Sequence, residues 1–342
     1  MCADIRVTDT PHCPVCLGTG PVLHEQARDH LFGTPGEWRY RRCTGCQLVW
    51  QDPMVAEENI GRLYETYYTH AQPDITQTGV ARALYRSAQR GYVANRYGYP
   101  AEHWTDRLLG GLLALHAGRR ADAAFLAQYL PASGIGTLLD VGCGHGATLA
   151  DMHQLGWKVQ GVDPDPQAVE AARARGFHVT LGTVFSADLQ AVAFNAITMS
   201  QVIEHVYRPI EMLRRCRDLL APGGMLVVTT PNAESRGHRR FGRAWRGLEP
   251  PRHLQVFSRQ ALELAARQAG FHTVRVRATI RAARGSYDAS LAIQRAEHLG
   301  AGQADIPSPT VRSELWQLEE WCQSFIRPDV GEELLLIATR GA

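Results

Sequence analysis

Three features of this chain predict an α/β fold preceded by a small metal-held module. A short apolar strand, Thr137-Leu138-Leu139-Asp140-Val141, runs into the glycine turn Gly142-Cys143-Gly144-His145-Gly146 and then into a helix through Leu149 and Met152. A second strand, Lys158 to Val162, follows and ends in Asp163. Near the start, Cys13-Pro14-Val15-Cys16 and Cys43-Thr44-Gly45-Cys46 form two CxxC pairs, spaced more widely than in the commonest zinc ribbons. Strand, glycine loop, helix and second strand make the nucleotide-binding unit of an open, Rossmann-like sheet. Paired CxxC knuckles can present four thiolates to one tetrahedral Zn²⁺.

Size and composition leave room for both parts. A chain of 342 residues holds one large domain and a small one. Its 45% hydrophobic and 20% charged content is that of a globular protein. Formal net charge is only +2, which argues against a polyanionic partner such as nucleic acid. Lys158 is the only lysine, so arginine is left to contact phosphate or carboxylate. No apolar run approaches the ~20 residues that span a bilayer, and Met1 to Pro11 lacks the basic-then-apolar order of a signal peptide. The expected location is therefore the cytoplasm, with no membrane partner. In a reducing compartment the eight cysteines are better read as metal ligands than as disulfides.

The four ligand positions Cys13, Cys16, Cys43 and Cys46 are all thiols, which points to a structural zinc rather than a catalytic one with an open position. Gly45 is expected to ease the tight turn of the second knuckle. The alternative is four buried or redox-active thiols. Residues 1–56 are assigned to this zinc-ribbon-like module. Residues 57–130 carry apolar residues at helical spacing around Ile60, Leu63, Tyr64 and Tyr67, and again from Leu108 to Leu130, and form a helical linker or cap. Tyr64, Tyr67 and Tyr68 are read as packing residues.

The glycine loop alone leaves two cofactors open, because Gly142, Gly144 and Ala147 also satisfy the dinucleotide pattern G-x-G-x-x-G/A. Asp140 separates them. An anion beside a pyrophosphate repels it, whereas near a sulfonium and an α-ammonium group it attracts. Asp163, at the end of the strand that follows the loop and its helix, can accept both hydroxyls of a ribose.

Here the chain resembles the class I S-adenosylmethionine-dependent methyltransferases, whose first motif looks like the run Asp140 to Gly146. Phe194-Asn195-Ala196-Ile197-Thr198-Met199-Ser200 resembles their fourth strand, followed by Gln201-Val202-Ile203-Glu204-His205-Val206. Leu220-Ala221-Pro222-Gly223-Gly224-Met225-Leu226-Val227-Val228 resembles their turn and fifth strand. The resemblance implies a seven-stranded mixed sheet of order 3-2-1-4-5-7-6, formed by residues 131–280 plus 333–342. It implies S-adenosyl-L-methionine as cofactor, held by Asp140, Gly142, Gly144, Gly146, Asp163, Thr183 and Ser200. Two positions depart from the family: Asn195 stands where Asp is common, and Gly182-Thr183-Val184 replaces an acidic residue near the adenine.

In an open α/β sheet the substrate lies beyond the carboxyl ends of the strands, so residues after strands four and five matter most. His205 is the first candidate general base, since an imidazole near pKa 6.5 can take a proton from an attacking hydroxyl or amine. Pro250-Pro251-Arg252-His253-Leu254-Gln255-Val256-Phe257-Ser258 resembles a stretch of small-molecule family members, with Ser258 an N-cap and His253 a second candidate base. Glu204 and Arg252 are candidate substrate contacts. The basic stretch Arg236, His238, Arg239, Arg240, Arg243 and Arg246 either grips an anionic substrate or is a solvated loop. Residues 281–332 form an insertion in which Leu315-Trp316, Leu318, Trp321-Cys322 and Phe325-Ile326 make an apolar helical face, read as a cap or a homo-oligomer contact.

The expected activity is methyl transfer from S-adenosyl-L-methionine to a small-molecule acceptor of a biosynthetic pathway, since the zinc module and the Pro250-to-Ser258 stretch look similar to deoxysugar and secondary-metabolite methyltransferases. Two alternatives stay open: an RNA base methyltransferase using Arg39, Arg41 and Arg42 beside Cys43, and a non-catalytic protein that binds the cofactor.

Overall fold

A computed structural model of the chain describes residues 5–64, 79–186, 189 and 193–341. Tyr67, Tyr68 and the side chain of Tyr64 lie outside the described set. The N-terminal segment contains short strands β1 (Val7–Thr8), β2 (Val22–Ala27), β3 (Trp38–Arg42), β4 (Val49–Gln51) and β5 (Met54–Val55), then a 3-10 turn at Glu57–Tyr64. Helices α1 (Val80–Tyr97), α2 (Trp104–Leu113) and α3 (Ala117–Leu126) follow. The stretch from Leu108 to Leu130, read as helical, lies largely in α2 and α3, with the break where the His116 side chain accepts from the Arg119 amide and caps α3.

The α/β part runs β6 (Thr137–Val141), α4 (Ala147–Gln154), β7 (Lys158–Asp163), α5 (Pro166–Ala174), β8 (Val179–Leu181), β9 (Phe194–Ser200), α6 (Pro209–Leu219) and β10 (Leu220–Pro231). After it come α7 (Arg236–Phe241), β11 (Gln255–Val256), α8 (Arg259–Gln268), β12 (Thr273–Thr279), α9 (Ala283–Leu299), α10 (Val311–Ser324) and β13 (Glu333–Thr339). The seven-stranded sheet has the order β12-β13-β10-β9-β6-β7-β8. Counted along the α/β part, this is the expected 3-2-1-4-5-7-6. β6 pairs in parallel with both β7 and β9, and β7 with β8. The last strand reverses: Gly223 bonds Arg340 at one end of β10, and Asn232 bonds Glu332 at the other, an antiparallel pattern. Central strands read as continuous apolar runs because both faces are covered; Leu138, Leu139, Ala196 and Ile197 have no exposure.

Contacts divide the chain into two compact units. One comprises Met1–Tyr67, Gln201–Arg214 and Val228–Leu336, the other Tyr68–Ser200, Arg215–Val227 and Ile337–Ala342. These units cut across the four segments read from the sequence. The reason is visible in the four-stranded sheet β11-β4-β3-β2, in which Gln255 and Val256 pair antiparallel with Trp50 and Val49. The cysteine module therefore folds around a strand supplied from far downstream in the chain, since it is too short to bury a core alone. Its core joins Trp38, Tyr40 and Val49 to Phe241, Trp245 and Leu248.

The insertion forms helices as expected, and in α10 the expected apolar face is divided between buried and exposed positions. Trp316, Gln317 and Glu320 are buried, whereas Leu315, Leu318, Phe325 and Ile326 are more than half exposed. Hydrogen bonding sets this orientation: Gln317 Nε2 donates to the Ile280 carbonyl and Glu320 Oε1 accepts from the Glu332 amide. No helix among the described residues is long and apolar enough to cross a membrane.

Candidate functional site

The glycine loop and its flanking carboxylates lie within one unit. Gly142, Gly144 and Gly146 all take positive φ, at 71°, 52° and 82°. A Cβ on Gly146 would press on Phe177 and Ala172 at 3.2 and 3.3 Å, so glycine is required there for packing as well as for backbone conformation. At Gly144 a Cβ would meet nothing within 4 Å; the loop is open on that side, as close approach by a ligand demands. The Gly144 amide donates to Asp163 Oδ2 at 2.8 Å and the Asp165 amide to Oδ1 at 2.9 Å, which ties the end of β7 to the loop.

Asp140 is 3% exposed. Register pairs it with Thr198 of β9, whose hydroxyl donates to Asp140 Oδ1 at 2.7 Å. Burial pushes this carboxyl up to about 7, and the charge of Asp163 adds to the rise. Burial likewise raises Asp163. Two carboxyls thus stand at one loop, and the groups that hold them are a hydroxyl and backbone amides rather than basic side chains. Such a donor set suits a ligand carrying hydroxyls and positive charge and disfavours a pyrophosphate. Thr183 is exposed and closes a tight turn with Ser186; Ser200 sits half-buried at the end of β9. His145 points its Nε2 into a buried position without a hydrogen-bond partner among the described residues.

The residues after strands four and five gather in the other unit. Glu204 and His205 occupy a 3-10 turn, Ile203–His205, entered through Gln201 at φ 56°. Glu204 has no exposure; its Oε2 accepts from Thr230 at 2.9 Å, and burial, with Glu249 and Glu333 nearby, lifts it to about 8. His205 donates Nδ1–H to the Arg252 carbonyl at 3.0 Å, and His253 donates its own to the Gly247 carbonyl at 2.8 Å. The two rings meet edge to face with centroids 4.7 Å apart. Burial lowers both imidazoles, His253 to about 3, so each is neutral at pH 7 with its lone pair on Nε2.

Arg252 is fully buried. Its guanidinium bonds Glu249 and Asp29 at 3.0 Å each, contacts Thr34 at 3.1 Å and lies over the Phe32 ring at 4.1 Å. Burial alone would raise Glu249, but the guanidiniums of Arg246 and Arg252 hold it well below the usual carboxylate range. The expectation that Arg252 reaches a substrate meets a physical obstacle here: its charge is committed to two carboxylates, and it fixes the backbone that carries His253. The basic stretch is similarly engaged. Arg236 pairs with Glu319 over the Trp316 ring, Arg243 with Glu297, and Arg246 with Glu249. Arg39 and Arg41, named for an RNA-binding alternative, both bind Asp52.

In the cysteine module Cys13 Sγ lies 3.5 Å from Cys46 Sγ, and Cys16 Sγ 3.3 Å from Cys43 Sγ, with all four within 4.8 Å of one another. A zinc tetrahedron with Zn–S bonds of about 2.3 Å has edges of about 3.8 Å, so the four thiols fit it. The two knuckles repeat one turn: the Leu17 amide bonds the Cys13 carbonyl, and the Gln47 amide the Cys43 carbonyl. The left-handed residues are Leu17 and Gln47, at φ 60° and 61°, and not Gly45 as expected. A Cβ on Gly45 would make only ordinary contact with Cys16 and Cys43 sulfurs, at 3.8 Å.

Sequence reasoning passed over Thr198, Glu249 and Asp29. A threonine inside an apolar strand was a usable signal for the first. Asp29 carried none, because its partner Arg252 is remote in the chain.

A family model described as a methyltransferase domain matches residues 103–276, half of the chain. The chain belongs to the methyltransferase domain family. The match takes in the glycine loop, Asp163, Glu204-His205 and Arg252-His253 of this family member. It is similar to a ubiquinone biosynthesis O-methyltransferase of Cereibacter sphaeroides, 35% identical over 130 residues that make up 36% of this chain and 51% of the relative. A protein of the same description from Xanthomonas axonopodis pv. citri is 34% identical over 139 residues, 39% of this chain and 57% of that one. The chain spans about half the length of these curated relatives. A SAM-dependent methyltransferase from Archaeoglobus fulgidus is 20% identical with a TM-score of 0.43, over 63% of this chain and 91% of its own.

Proposed function

We propose that this family member transfers a methyl group from S-adenosyl-L-methionine to a hydroxyl or similar nucleophile of a small biosynthetic acceptor. The observation that carries the reading is the buried Asp140 carboxyl, held by Thr198 at an open glycine loop, a group whose charged form a cationic ligand stabilises. The cofactor, when bound, supplies an electrophilic methyl on a sulfonium. Asp163 would hold its ribose hydroxyls, Gly142, Gly144 and Gly146 would admit it to the backbone, Asp140 would face its positive charge, and Thr183 and Ser200 would border the adenine and methionine ends. His205 and His253 would handle the proton that a hydroxyl acceptor loses, a role for which a neutral imidazole is required. The ubiquinone relatives support an O-methylated acceptor.

Zinc at Cys13, Cys16, Cys43 and Cys46 would be structural, its binding being folding free energy for the module and for β11. The exposed stripe Val311, Leu315, Leu318, Cys322 and Phe325 repeats at four- and three-residue spacing, the pattern of a helix-pairing seam, and is assigned to contact with a second copy of the chain.

The test is turnover with catechol- and phenol-type acceptors, followed as methyl transfer to oxygen. His205→Ala and His253→Ala should each lower turnover about 100-fold or more if they handle the proton; near-full turnover in both would remove them from that role.

A further inference from the structure

Glu204, His205 and His253 each offer one ligand atom, and these atoms lie within 4.8 Å of one another. We propose that they form a second metal site, distinct from the four cysteines, that binds a first-row divalent cation such as Mn²⁺, Fe²⁺, Co²⁺ or Zn²⁺. Three independent features point there. Both imidazoles give Nδ1–H to a backbone carbonyl, Arg252 O for His205 and Gly247 O for His253, the supporting bond that orients a ligating histidine and leaves Nε2 unprotonated. The backbone giving those carbonyls is itself pinned, because the Arg252 side chain is locked between Asp29 and Glu249. Glu204 Oε1 is buried without a hydrogen-bond partner among the described residues, while Oε2 is held by Thr230. An oxygen buried without a partner has lost its solvation, which a cation bound there would replace.

Two imidazoles and one carboxylate select the borderline divalent ions over Ca²⁺ or Mg²⁺, which prefer oxygen alone. Three protein ligands leave coordination positions open, so the ligand this ion would take is an acceptor with one or two oxygens. On the methyl-transfer reading above, His205 and His253 would then serve the proton loss through the ion they hold and not by direct transfer: the cation would acidify the acceptor hydroxyl, whose proton would leave to water as the oxygen binds. The nearest competing carboxylate, Glu249 at 3.7 Å from His253 Nε2, is already spent on Arg246 and Arg252.

The experiment is Mn²⁺ titration of the full-length protein as purified, read by the loss of the free-ion electron paramagnetic resonance signal, with total metal measured on the same samples. Mn²⁺ binds nitrogen and oxygen sites and not the four-thiolate site. Expected is one ion per chain beyond the cysteine-bound metal, either already present or taken up as Mn²⁺. Affinity should fall at least about tenfold in Glu204→Gln and in His253→Gln, both checked for folding by circular dichroism. One metal per chain in total with no Mn²⁺ uptake, or uptake that both variants leave unchanged, would overturn the site. Because the readout is binding, an inactive protein that still takes up the ion would count against methyl transfer and not against the metal.

Discussion

Asp140 and Glu204 are buried carboxyls that carry their protons up to about 7 and about 8, against about 4 in the unfolded chain. A raised carboxyl gives stability that is fully present below the unfolded value and is lost as pH rises through the folded one. Below about pH 6.5 the buried histidines His24, His205, His238 and His253, all lowered, pull the other way; above it, where they no longer take up protons in the unfolded chain, the cofactor-free protein should melt at progressively lower temperature as pH rises to 8, in thermal unfolding followed by circular dichroism. Cofactor affinity should move the other way. A sulfonium prefers the ionised carboxylate, so the affinity for S-adenosyl-L-methionine should rise between pH 6 and 8, and Asp140→Asn should flatten that profile. At the cysteines, Cys43→Ser removes one of four ligands. On the proposal of a structural zinc, it should lower zinc content below one per chain and expose Trp38 and Trp245, seen as a red shift in tryptophan fluorescence, because zinc binding worth roughly 10 kcal/mol would be what closes so small a module. The clustering of Asp140 and Asp163 at the glycine loop and of the four cysteines with one another was legible in the sequence, since each sits in a short motif. Thr198, Asp29 and Glu249 were not, because a buried partner across a sheet or in a remote part of the chain leaves no local pattern.

Among the elements, α10 separates periodicity from burial most clearly. Its apolar residues recur at helical spacing, so the helix itself was readable, yet the inward side is Trp316, Gln317 and Glu320. Hydrogen bonds to Ile280 and Glu332 decide the orientation, and no hydrophobic count contains them. Denaturant titration should then show Trp316→Ala losing about 3 kcal/mol of stability and Leu318→Ala less than about 0.5 kcal/mol. If the outward stripe joins two copies, Leu315→Glu with Leu318→Glu should halve the mass seen in sedimentation without lowering the melting temperature of the chain. An unaltered mass would remove the stripe from any contact between copies. β11 teaches a related point. Two residues, Gln255 and Val256, complete the cysteine module's sheet, and a strand that short carries no alternation from which to read it.

For the whole molecule, the sheet order was legible through the resemblance of the strand motifs to the class I methyltransferases, and the order β12-β13-β10-β9-β6-β7-β8 agrees with it. The division into units was not legible, because it depends on which segments return to pack on the cysteine module. The account stands on the glycine loop with Asp140 being a site for a cationic nucleoside and not for a dinucleotide. Isothermal titration of the intact protein with S-adenosyl-L-methionine and, separately, with NAD tests this most directly. The account predicts one S-adenosyl-L-methionine per chain, weakened at least about tenfold in Asp140→Asn, and no heat from NAD. Binding of NAD with no response to S-adenosyl-L-methionine would contradict it.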